Sequence, residues 1–228
     1  MEIVRKYESF IGYQREIEKY IALLNSQREL PLNNELVAIT KYIIFMKEII
    51  NFTGESHYKN NLVFDILSTM HALTNNSMRQ FHYVFRSFIE NYARSMLNLA
   101  DNDETGINDL FRKIKDRYGQ SEVTVEIIDF IIGEYGNSCM FVHSNTKANV
   151  DVQLYYSEII SNDDFDIKKL RSTINKILIT LKRMSELLIF SHPQIIENAF
   201  YRRKQHIRFL IGHKLYAILL EQLRLTDN

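Results

Sequence analysis

Four polar side chains recur along one side of an apolar-rich stretch. In MRQFHYVFRSFIENYARSMLNLA, Met78 to Ala100, the residues Arg79, His82, Arg86 and Glu90 follow at spacings of three, four and four. A helix would line them up as one stripe, with Arg86 and Glu90 as surface neighbours. Two readings stand side by side. The pair is an exposed helix ion pair contributing about 0.2–0.5 kcal/mol, or Glu90 orients Arg86 so that its planar fork faces a phosphate. A second candidate closes the stretch VTVEIIDFIIGEYGNSCMFVHS. Here Asp129, Gly136 and His143 repeat at seven residues and share a face. The dipole at a helix C-terminus favours a protonated imidazole. His143 then either caps free carbonyls or serves as a general acid/base, since imidazole titrates near neutral pH.

A third pattern lies near the C-terminus. FYRRKQHIRFLIGHK, Phe200 to Lys214, holds Arg202, Arg203, Lys204, Arg208, His213 and Lys214, and no acid falls between Glu197 and Glu221. Phe200, Tyr201, Phe209 and Tyr216 interleave with the cations. Such a strip suits a phosphate backbone and stacked bases. The competing reading is a solvated face balanced by the acidic loops Asp101–Glu104 and Asp163–Asp166. No phosphate loop, dinucleotide fingerprint, His-Glu-x-x-His pattern or nucleophile elbow is present. Chemistry is therefore expected from Arg, His and Glu, with no metal and no cofactor. That narrows it to proton-transfer catalysis, with RNA cleavage as the leading case.

These side chains need long helices to position them, and the composition favours helices. The chain has two Pro and seven Gly in 228 residues, too few breakers for a many-stranded sheet fold. Its apolar content, 46%, excludes a disordered tail protein. Lys plus Arg and Asp plus Glu number 28 each, so net charge names no partner. The expectation is one all-α domain over residues 1–228, an antiparallel bundle of about eight helices. Its core spans about 35–190 and a long C-terminal helix about 193–225. Ser77 and Asn34 are expected helix caps. Ser191 to Gln194 reads as a capping box with Pro193 early in the helix. Gly133 and Gly136 inside a helix, at about 1 kcal/mol each, imply close backbone approach or a break.

One cysteine, Cys139, allows no internal disulfide and fits a reducing cytoplasm. Met1 to Phe10 is charged at Glu2, Arg5, Lys6 and Glu8, unlike a signal peptide. No apolar run approaches the ~18 residues of a membrane span, so no membrane partner is expected.

The pairing of FRSFIENYAR (Phe85–Arg94) with EYGNSCMFVHS (Glu134–Ser144) resembles helical HEPN-superfamily proteins, most closely the branch found in bacterial abortive-infection systems. In that branch one helix carries Arg-x-x-x-Glu and a later one ends in an aliphatic–His–small motif. The resemblance covers Met78 to Ser144. It implies an all-helical, usually dimeric, metal-independent RNase whose signature is Arg, four to six residues, then His. Arg stabilises the phosphate and His shuttles the proton. Arg208-Phe-Leu-Ile-Gly-His213 has the four-residue spacing, with Phe209 where the family carries a polar residue. His143 has no Arg four to six residues upstream, so Arg86 would substitute from the neighbouring helix.

Three functional readings follow. The first is an HEPN-like endoribonuclease serving as toxin or anti-phage defence effector. In it Arg86 binds phosphate, Glu90 orients Arg86, His143 transfers the proton, and Arg202, Arg203, Lys204, Arg208 and His213 hold RNA. The chain would be a homodimer or a subunit of a defence complex. The second is a non-catalytic helical subunit of such a system. The third, a DNA-binding regulator, lacks a helix-turn-helix pattern.

Overall fold

Helix breakers are scarce in this chain, and its apolar residues recur every three to four positions, so nearly every stretch longer than two turns can bury one face. The computed structural model describes residues 2–143, 151–153, 156–157 and 163–226, with side chains from residue 11 and, before the gap at 144, up to residue 141. Among these residues the protein is all-helical and has no strand. The helices are α1 (Glu2–Gln27), α2 (Asn33–Thr53), α3 (His57–Thr74), α4 (Met78–Met96), α5 (Ile107–Tyr118), α6 (Glu122–His143), α7 (Ile167–Ser191), α8 (Pro193–Ala199) and α9 (Lys204–Thr226). None of them is long and apolar enough to cross a membrane.

The central element is α4. Phe81, Phe85, Phe88, Ile89, Tyr92 and Met96 are all buried, and the three phenylalanines form a ladder with ring centroids 5.2 and 6.1 Å apart. Each buried phenyl contributes about 1.5–3 kcal/mol of transfer free energy. α4 packs chiefly on α3 and α6, and α2 packs on α7, with α6 against α7 joining the two groups and α9 covering α2 and α7. The start of α4 is held from two sides. Ser77 Oγ accepts the Gln80 N–H at 3.2 Å. Asp163 accepts the Ser77 hydroxyl at 2.9 Å and the Arg79 N–H at 2.6 Å. Asp163, from the acidic loop read as a counterweight to the basic strip, thus clamps the start of α4.

Several expectations need correction. α2 begins at Asn33 rather than behind an Asn34 cap; the residue before it, Leu32, has φ 65° and no side chain caps the end. α4 stops at Met96, and Asn98 turns the chain with φ 51°. α6 runs unbroken through Gly133 and Gly136, and a Cβ at either would meet nothing within 4 Å, so neither close approach nor a break explains them. Ser191 still belongs to α7; His192 forms the junction with α8 without a side-chain cap.

The long C-terminal helix is in fact three pieces. α8 ends at Ala199, and Phe200 drops into the core, stacked on Phe45 at 5.9 Å. Arg202 takes the turn with φ 58°. α9 is then broken at Gly212, with φ 79° and ψ 170°. Only glycine visits that region of φ without strain.

Candidate active site

The α4–α6 seam brings part of the expected stripe together. His82 Nδ1 lies 3.3 Å from Ser138 Oγ, and its ring stacks on Phe141 at 4.2 Å. Farther along α4, Tyr92 and Ala93 share a small cleft with Ile128, Ile131 and Ile132. Contacts therefore step down α6 as they step up α4. Arg86 stands between these levels, its guanidinium 5.6 Å from the Tyr83 ring. Its charge and that of Glu90 both reach Tyr135, whose hydroxyl pKa is pushed up to about 12, first by burial and then by Cys139 one turn away. Burial, reinforced by the Lys176 charge, lowers the His82 pKa to about 4. A ring so shifted is neutral at physiological pH and packs as an aromatic.

α6 extends to His143, whose imidazole lies outside the described side chains. Its backbone is five residues beyond Ser138, about 7.5 Å along the axis, while Arg86 lies one turn past His82 in the opposite direction.

Glu90 has a different partner from the one expected. Arg94 donates to Glu90 Oε1 from Nε at 3.1 Å and from Nη2 at 2.9 Å. The same guanidinium reaches the Asp103 carbonyl at 3.3 Å, the Asp103 carboxylate at 3.4 Å and the Thr105 carbonyl at 2.9 Å. Glu90 therefore belongs to a network that ties the loop after α4 to its last turn. Sequence reasoning passed over Arg94, although a signal was present: an acid N-terminal to the base at i,i+4 is the better orientation. Glu90–Arg94 has that order and Arg86–Glu90 the reverse.

The basic strip divides in the same way. Arg203 is committed to the fold, donating to Glu48 at 3.1 Å, to Tyr13 Oη at 3.3 Å and to the Ala199 carbonyl at 2.6 Å. Lys204 pairs with Glu197 at 3.5 Å. The sequence between Glu197 and Glu221 holds no acid, but folding supplies Glu48 from α2. Arg202 is exposed and lies over the Tyr201 ring at 5.2 Å.

Arg208 and His213 differ from all of these. Arg208 Nε donates to His213 Nδ1 at 3.0 Å, and Nη2 lies 2.8 Å from the same atom. In an unbroken helix, residues five apart point about 140° away from each other. The break at Gly212 swings His213 round to meet Arg208. Both side chains are exposed, and among the described residues neither has a carboxylate partner. Arginine has no acceptor, so Nδ1 must supply a lone pair and the neutral ring carries its proton on Nε2. Lys41 of α2 sits 4.0 Å over the adjacent Phe209 ring and adds positive charge; burial lowers its pKa.

Among the described residues, no three His, Cys, Asp or Glu side chains cluster as a metal site. No model of a protein family, no curated protein and no solved structure matches the chain.

Proposed function

We propose that this protein is an HEPN-like, metal-independent endoribonuclease, of the kind that acts as a toxin or phage-defence effector, and that its reacting pair is Arg208 and His213. One observation carries the reading: an exposed guanidinium bonded to an exposed imidazole at the spacing of the HEPN signature, with no acid among the described residues to neutralise either. The chemistry follows from the groups. A phosphodiester is a stronger partner for guanidinium than a neutral ring nitrogen. When phosphate oxygens take Arg208, the Nδ1 lone pair is released and can accept the 2′-hydroxyl proton. The 2′-oxygen attacks phosphorus, the P–O5′ bond breaks, and the proton is delivered to the departing 5′-oxygen. The products are a 2′,3′-cyclic phosphate and a 5′-hydroxyl. Arg208 spreads its charge over the non-bridging oxygens, where negative charge grows in the transition state. Lys214, exposed and next to His213 in the chain, and Arg202, exposed at the turn before α9, would contact the RNA backbone. In this reading Glu90, held by Arg94, and Arg203, held by Glu48, serve the fold.

The test is cleavage of single-stranded RNA by purified protein in EDTA, with product ends identified by mass spectrometry. His213→Ala and Arg208→Ala are each expected to lower the rate by ~10²–10³, and Arg86→Ala to change it little. Absence of cleavage, or full activity in His213→Ala, rejects the reading. A second reading, a non-catalytic helical subunit, is favoured by one observation: Phe64 and Leu67 on α3 are exposed at 68% and 40%, an uncovered apolar pair three residues apart. It would be supported by co-purification of a partner that Phe64→Ser abolishes.

A further inference from the structure

A cavity of about 500 Å³ opens between α2, α3, α4, α7 and α8, sharing no lining residue with the Arg208 corner. Met46, Ile49, Ile50, Leu62, Leu188 and Ile195 give it apolar walls. A second hollow of about 680 Å³ adjoins it and shares two lining residues, Arg117 and His192. Protein interiors close-pack and leave few voids larger than a water molecule. Apolar walls offer water few partners. The volume lies within the ~300–1,000 Å³ range of small-molecule sites.

The polar atoms narrow the ligand. Among the described residues no carboxylate lines either space, although Lys59 and Arg117 both do. Lys59 is committed, its Nζ donating to the Thr53 and Gly54 carbonyls at 3.4 and 3.2 Å. Arg117 is exposed at the junction of the two spaces, its guanidinium 5.4 Å from the Tyr118 ring, with no acid paired to it among the described residues. The Tyr118 hydroxyl donates to the Met96 carbonyl at 2.6 Å, so its oxygen accepts from His192 Nε2 at 3.2 Å. Burial, with Arg117 second, lowers the His192 pKa and keeps the ring uncharged, so the positive charge at this junction is that of Arg117. Ser95 Oγ, on the cavity wall beside Met96, is buried and has no hydrogen-bond partner among the described residues. An orphaned buried hydroxyl costs free energy that a ligand oxygen would recover.

We propose that this cavity binds an amphipathic organic anion, its apolar tail among Met46, Ile49 and Leu188 and its anionic head on Arg117. The site is independent of the ribonuclease reading.

Isothermal titration uses dodecanoate, dodecyl phosphate and dodecanol below their micellar concentrations, with acetate as the tail-less control. Methyl-labelled methionine spectra report on Met46 and Met96. Wild-type protein is expected to bind both amphipathic anions and to shift both methionine signals, and acetate to do neither. Arg117→Gln is expected to weaken dodecanoate by about tenfold or more while leaving dodecanol within about twofold. Equal losses for carboxylate and phosphate mean that charge alone selects the head; a loss confined to one identifies the head. Leu188→Trp narrows the cavity and is expected to weaken all three tailed ligands by a similar factor with an unchanged circular dichroism spectrum; Ile49→Trp is the substitute should it fail to fold. The proposal is overturned if wild-type protein binds neither anion, if the two methionine signals do not move, or if Arg117→Gln leaves the ratio of dodecanoate to dodecanol affinity unchanged.

Discussion

Arg94 and Arg208 each find a partner within five residues in sequence, and their surroundings are opposites. Arg94 is 11% exposed, holds a carboxylate one turn back, and carries three further acceptors from the loop that follows α4. Arg208 is exposed and its partner is an imidazole on the far side of a backbone break. A guanidinium whose donors all end on carboxylates and carbonyls of its own chain has no capacity left for a ligand. One that faces only a neutral ring can be recruited by any phosphate that approaches. The contrast places structural work at the α4–α5 loop, and it is at the Gly212 corner that the proposed substrate would be held.

The largest effect should appear on the structural side. Arg94→Met keeps the apolar stem but leaves Glu90 and the Thr105 carbonyl without their donor. Half-buried acceptors stripped of partners cost about 1–3 kcal/mol each. A loss of about 3 kcal/mol in urea unfolding is expected, with RNA cleavage, measured well below the melting temperature, unchanged per folded molecule. A loss under about 0.5 kcal/mol, within the ordinary range of a surface change, would erase the contrast.

Gly212→Ala addresses the other side. A Cβ there meets no neighbouring atom, so its cost is conformational: φ 79° with ψ 170° is a region alanine avoids. Destabilisation of about 1–3 kcal/mol is expected, together with loss of the Arg208–His213 contact, visible as a change in the His213 imidazole NMR signals. Preserved stability and unchanged signals would mean that the break is not set by glycine.

These two sites also show where sequence reasoning succeeded and where it stopped. The apolar face of α4 was legible because a period of 3.6 picks out Phe81, Phe85, Phe88, Ile89 and Tyr92, all of which are buried. Ser77 was legible as a cap because its chemistry is local. The partner of Glu90 was not chosen by spacing, since Arg86 and Arg94 both lie four residues away; Asp103 and Thr105, brought in by the loop, favour Arg94. The break at Gly212 was masked by a regular pattern. Ile207, Ile211, Leu215, Leu219 and Leu223 recur every four residues and all are buried, which reads as one continuous helix. On a straight helix that spacing drifts about 40° per step, so a long run of fours cannot stay on one face. The drift is the missed signal that the backbone resets. The Arg203–Glu48 pair, 155 residues apart in sequence, left no local trace.

His82 gives a smaller, pH-dependent effect on the structural side. Its folded pKa, about 4, lies below the unfolded value of about 6.5. Between those values the unfolded chain binds a proton that the folded chain refuses. Stability is therefore full above about pH 6.5 and falls as pH drops towards 4. Allowing for the ring's partial contact with solvent, the loss between pH 7 and pH 5 should be about 1–2 kcal/mol. His82→Phe keeps the stack on Phe141 and removes the titration. Its unfolding free energy should vary less with pH, the residual slope coming in part from His192, whose pKa is shifted in the same direction. An unchanged slope would show that His82 does not resist protonation.

The smallest stability effect is expected where the proposed chemistry is greatest. Arg208→Gln removes a charge from an exposed side chain that has no carboxylate partner among the described residues, and a change of that kind usually stays within about ±0.5 kcal/mol. Repulsion among Arg208, Lys214 and the nearby Lys41 also eases, so the sign should be neutral to slightly stabilising. The amide of glutamine can still donate to His213 Nδ1, which separates two roles. If Arg208 serves only to hold the ring, glutamine preserves the contact and RNA cleavage survives. If it neutralises the phosphate, cleavage falls by ~10²–10³ while urea unfolding does not move. Arg94→Met is expected to give the reverse pattern. A pair of variants that each changed both quantities would mean that the two arginines differ only in exposure.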